Sequence, residues 1–98
     1  MLKVKTGVTP KNLVIAAAAI NVAIDIGASF DVVITSGTDG KHMRGSKHYR
    51  GDALDLRRSN IPPKSLDTFL TRLRGRLGED YDVILESDHI HVEYDPKG

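Results

Sequence analysis

Hydrophobic and polar positions change period several times along the chain, and each change predicts an element. Leu13, Ala17, Ile20 and Ile24 recur at helical spacing. Thr9 and Pro10 stand before them as an N-cap oxygen and a first-turn proline, and Gly27 follows as the cap at the other end. The alanine run at 16–19 predicts close packing on a sheet or on a second helix. Residues 30–35 are rich in β-formers and predict a strand.

From 36 to 50 the pattern breaks into a glycine-rich loop with few apolar residues, a length that points to function or to disorder. Residues 53–57 predict a short strand and 59–63 a turn. Leu66, Phe69, Leu70, Leu73 and Leu77 mark a second amphipathic helix, stopped by Gly78. Residues 81–86 and 89–94 predict two strands joined at Ser87-Asp88, short enough for a hairpin turn. The expected architecture is α+β, with two helices packed on a small antiparallel sheet.

Composition narrows the function classes. Ninety-eight residues make one small domain, taken as residues 1–98. Fourteen basic and 13 acidic side chains leave a net charge of +1, which argues against the nucleic-acid backbone as a partner. Arg72, Arg74 and Arg76 spread around their helix rather than forming one stripe. Cysteine is absent, so a metal would have to be held by His, Asp or Glu. No stretch approaches the roughly 18 apolar residues of a membrane span, and the apolar run from Leu13 lacks the context of a signal peptide.

Candidate chemistry concentrates in two stretches. In the first, His48 and Asp55 lie seven positions apart with Gly51 between them, where the backbone can turn into the strand. Asp55 alternates with Leu54 and Leu56, so a core-facing strand would hold it at least partly buried, in need of a cation or of hydrogen bonds. Arg57, Arg58 or a backbone cap could equally satisfy it. In the second, His89 and His91 are two apart on a strand and project from one face, while Ile90 and Val92 face the core. Glu86 and Asp88 flank the turn before them. Two imidazoles and carboxylates at this spacing compose a metal site, although an isolated HxH is more often incidental.

The pattern Ser46-x-His48-x-x-Gly51-x-Ala53-x-Asp55, followed by Asp88-His89-Ile90-His91-Val92, resembles the zinc D-alanyl-D-alanine metallopeptidases. These include D,D-carboxypeptidases and L-alanyl-D-glutamate endolysins, and the hedgehog signalling domain shares their motif pair and fold. The resemblance spans roughly residues 32–94 and implies a hedgehog/D,D-peptidase-like fold. It implies one zinc ion held by His48, Asp55 and His91. Asp88 takes the place of the catalytic acid, which would move a proton from the attacking water to the leaving amine; Glu86 is its rival. His89 resembles the non-ligand histidine that can contact the oxyanion, or else orients a carboxylate.

Ser46 matches a substrate-contacting serine, and could otherwise cap its loop. The family's Ser-Gly-aromatic-Arg has no counterpart at Ser36-Gly37-Thr38-Asp39, so Arg44 or Arg50 would have to hold a substrate carboxylate, if they are not solvated loop charges. His42 is not expected to be a ligand. The implied activity is hydrolysis of peptidoglycan stem peptides at a bond involving a D-amino acid, by a monomer with no nucleic-acid or membrane partner. The implied setting is cytoplasmic synthesis without a signal peptide, as in phage or prophage lysis, or a domain of a secreted protein. The alternative is a non-catalytic, zinc-stabilised binding module of the same fold. Either way, chelation and acid are both expected to lower the melting temperature.

Overall fold

The computed structural model describes residues 1–7, 12–36 and 53–96. In chain order the elements are β1 (Leu2–Val4), α1 (Leu13–Asp25), β2 (Val32–Ser36), β3 (Ala53–Arg57), α2 (Pro63–Leu77), β4 (Tyr81–Leu85) and β5 (His89–Tyr94). The five strands form one sheet in the order β1-β2-β3-β5-β4. Both helices pack on it, which is the expected α+β arrangement.

The sheet is mixed, not antiparallel as expected. β1 runs parallel to β2, with Leu2 opposite Val32 and Val4 opposite Ile34, while the other three pairings are antiparallel. All three residues of β1 are exposed, so its short Leu2-Lys3-Val4 alternation marks no buried face. It is held instead by backbone hydrogen bonds, Lys5 N–H to Ile34 O at 2.9 Å and Val32 N–H to Met1 O at 2.9 Å. The Lys3 ammonium, 3.1 Å from Asp31, holds that carboxyl below its ordinary range.

The first helix also departs from expectation. It begins at Leu13 and is capped by Asn12, whose Oδ1 accepts from Ile15 N–H at 3.2 Å. Thr9 and Pro10 lie outside the described residues. Gly27 does end the helix, at φ +65°, a conformation that favours glycine. The buried face is Ile15, Ala16, Ala18, Ala19, Val22 and Ala23, whereas Leu13, Ala17 and Ile24 are exposed and Ile20 is half-buried. Because nearly every position is apolar, several stripes fit the helical period, and the small alanine side chains select the one that lets α1 approach closely. In α2, Phe69, Leu70 and Leu73 are buried, with Leu66 and Leu77 packed at the edge. Phe69 meets Phe30 edge to face at 5.6 Å. Arg74 donates to Val83 O from Nε and Nη2, at 3.2 and 2.9 Å, and so ties α2 to β4.

The core lies between helices and sheet. Ile34, Leu54, Leu56, Val83, Ile90 and Val92 point into it from four strands. Burying each such side chain contributes about 1.5–3 kcal/mol, and together they determine which residues face the other way. No helix among the described residues is long and apolar enough to cross a membrane.

Candidate metal centre

Strands β3 and β5 pair antiparallel with Leu54 opposite Val92, Asp55 opposite His91, Leu56 opposite Ile90 and Arg57 opposite His89. Side chains alternate across a strand, so the helix-facing leucines turn Asp55 to the other face. By the same rule Ile90 and Val92 turn His89, His91 and Glu93 to that face. β2 contributes from the far side of β3. Its register shifts between Ile34 and Ser36, placing Ser36 opposite Asp55. Such an irregularity bends a strand locally. Next to it, Thr35 Oγ1 donates to Asp55 O at 3.4 Å.

The β4–β5 hairpin closes on the expected two residues, Ser87 and Asp88, with Glu86 N–H donating to His89 O at 2.9 Å. Glu86 therefore stands opposite His89. Arg58 clasps the turn by donating to the carbonyls of Glu86 and Ser87. A groove of about 560 Å³ starts at Asp88 and Ser87 and runs past Arg58 to Ile61 and Leu66.

Asp55 Oδ1 lies 3.0 Å from His91 Nδ1 and 3.7 Å from His89 Nε2. Asp55, His89 and His91 each offer a ligand atom within 4.8 Å of the other two, a group that could hold a metal ion. Each imidazole is held from its other nitrogen by an acid. His89 Nδ1 donates to Asp88 Oδ1 at 2.6 Å, and His91 Nε2 donates to Glu93 Oε1 at 2.7 Å. The inner groups are partly shielded: the side chains of Asp55 and His91 are 17% and 18% exposed, against 85% for Asp88. Asp55 on Nδ1 is the main cause that raises the His91 imidazole above its ordinary 6.5, with Glu93 adding to the rise and partial burial opposing it. Three carboxylates converge on two imidazoles here, which favours a cation.

Of the residues singled out in the sequence, Asp55, His89 and His91 come together, with Asp88 behind His89 and Glu86 across the turn. His48, Ser46, Arg44 and Arg50 lie outside the described residues, as do Gly51, His42 and the rest of the stretch read as a loop from 36 to 50 except Ser36, which instead ends β2. Sequence reasoning missed Glu93. Its signal was available, since His89, His91 and Glu93 fall at period two on one strand. Asp82, Glu93 and Asp95 form a second close group, of carboxylates alone. Comparison with protein-family models, with curated proteins and with solved structures found no match for this chain.

Proposed function

We propose that this chain is a zinc-dependent peptidase that hydrolyses peptidoglycan stem peptides at a bond involving a D-amino acid. The observation that carries the reading is the placement of Asp55 directly opposite His91, with Oδ1 and Nδ1 3.0 Å apart and His89 beside them. These are the positions that the SxHxxGxAxD and HxH motifs supply. A donor set of imidazole nitrogens and one carboxylate oxygen suits zinc, and a site with three protein ligands leaves a position open for reaction. In the proposed set, His48 joins Asp55 and His91.

When bound, zinc polarises a scissile carbonyl and makes water acidic enough to attack near neutral pH. The rest falls to the chain. Asp55 and His91, with His48, would hold the ion. His89, whose Nε2 faces Asp55 while Asp88 holds Nδ1, would hydrogen-bond the developing oxyanion from Nε2 when the ring carries a proton on both nitrogens. Asp88 and Glu86, at the two ends of one turn, are the acids that would take a proton from water and return it to the leaving amine. Ser46, with Arg44 or Arg50, would contact the substrate.

A second reading is favoured by one observation. The Asp88 carboxylate is already engaged by His89 Nδ1 and is largely exposed, as suits an orienting group more than a base. On that reading the site is a zinc-stabilised scaffold for partner binding.

The test is elemental analysis of the purified chain beside His48→Ala and His89→Ala, followed by assay on stem peptides. Near one zinc per chain, lost in His48→Ala and kept in His89→Ala, is expected. Loss in His89→Ala alone would make Asp55, His89 and His91 the ligands. Cleavage that Asp88→Ala or Glu86→Ala abolishes supports the peptidase. Zinc without cleavage of any stem peptide leaves the binding module, and absence of zinc after soaking overturns both.

A further inference from the structure

Glu93 lies outside both motifs, yet its carboxylate makes one of the shortest side-chain contacts in the sheet. It stands two residues beyond His91 on the same face of β5, and its Oε1 lies 2.7 Å from His91 Nε2. A carboxylate only accepts, so Glu93 holds a proton on Nε2, just as Asp55 holds one on Nδ1 while no ion displaces it. The opposite nitrogen, Nδ1, faces Asp55 Oδ1 at 3.0 Å. Both side chains are about one-fifth exposed, so water competes only in part for the Nε2 proton.

We propose that Glu93 is a positioning residue that locks the His91 ring in orientation and in its Nε2-protonated form, so that Nδ1 is the atom presented to a metal beside Asp55. This rests on the metal reading above. A bare imidazole can place its proton on either nitrogen, and it can rotate about its bond to Cβ. A ring whose proton sat on Nδ1 would turn an N–H toward the ion. The hydrogen bond to Glu93 fixes the ring before the ion arrives, and it keeps the remaining proton on Nε2 once the ion takes the place of the Nδ1 proton beside Asp55. It also places a negative charge behind the ring, which makes Nδ1 a better donor. The strand keeps the two residues in step, because positions two apart on β5 share a face. Glu93 needs no loop closure to reach its partner.

The experiment compares the wild type with Glu93→Thr and Glu93→Gln. Threonine suits a strand and cannot reach the ring; glutamine keeps an oxygen that can accept from Nε2. Zinc affinity of the stripped protein is measured by competition with a chromophoric chelator. The ring form of His91 is read in the zinc-loaded chain from its imidazole nitrogen resonances. Zinc affinity is expected to fall about 10–100-fold in Glu93→Thr and to recover most of that in Glu93→Gln. The ring should be protonated on Nε2 and bound to zinc through Nδ1 in the wild type, and mixed in Glu93→Thr. A wild-type ring protonated on Nδ1 overturns the proposal without recourse to any variant. Unchanged zinc affinity in a folded Glu93→Thr overturns it while leaving the metal site standing. A wild type that binds no zinc removes the metal site, and the role of Glu93 with it.

Discussion

On the helix side of β3 and β5 lie Leu54, Leu56, Ile90 and Val92, none more than 1% exposed. One residue along, on the other side of the same strands, lie Asp55, His89, His91 and Glu93. The first group has no chemistry to offer and the second has little apolar surface to bury. Yet the first places the second. A slip of β5 by one residue would turn two imidazoles and a carboxylate into the core and Ile90 and Val92 out of it. The candidate site is therefore aligned by packing on the opposite side of the sheet, and its own contacts need only orient rings already brought together.

The comparison breaks most visibly from the core side. Leu56→Ala removes a fully buried side chain between Asp55 and Arg57 and is expected to cost about 2–5 kcal/mol. Thermal melting should show a fall of at least about 8 °C. A loss near zero would mean that the helix side does not hold the register.

Asp55→Ala attacks the other face. Zinc affinity is expected to drop at least about 100-fold, beyond what an outer partner alone gives, while the metal-free melting temperature stays within a few degrees. Competition with a chelator and a melt of the same sample separate the two effects. A variant that binds zinc normally would take Asp55 out of the ligand set.

Acidity should affect the two states of the site in opposite directions. The folded chain raises the His91 value above 6.5, chiefly through Asp55. In the metal-free protein, the stability from that charged ring is fully present below the unfolded value. It is lost as pH rises through the raised folded value. Metal binding instead requires a bare Nδ1 and strengthens over the same rise. The gain in melting temperature on adding zinc should therefore grow from pH 6 to pH 8. Acid lowers the stability of the loaded protein, as the sequence led one to expect, but not through His91 in the stripped one. A zinc-induced gain that is constant across this range would remove His91 from the ligands.

The smallest effect belongs to the rim. Asp88 holds His89 as Glu93 holds His91, but its side chain is 85% exposed. Asp88→Ala should weaken zinc less than about 10-fold, the lower edge for an outer partner. A larger loss in the competition assay would place His89 among the ligands.

Much of the fold could be read from the chain because its elements carry local signals. Period-two alternation marks β3 and β5 to the residue, and Gly78 ends α2 where the helical spacing stops. β1 alternates over only three exposed residues, too short to stand out, and these gain their place from backbone hydrogen bonds to β2, which only a neighbouring strand can supply. α1 failed for the opposite reason, an excess of apolar positions. A helix apolar on nearly every side does not say which side is inside. Glu93 went unnoticed because no metal-site motif contains it, although its spacing from His91 was in view.

Alternation is a property of the extended backbone, so the sequence alone determined that Asp55 opposes its flanking leucines and that His89 and His91 share a face. It also determined that no thiolate could serve a metal here. Only the tertiary structure decided that β3 lies beside β5, that Asp55 stands opposite His91 and that Glu93 closes on Nε2. Pairing joins residues 36 positions apart along the chain. Nothing local encodes such a choice, and it is made when both helices and four strands bury their apolar faces in one core.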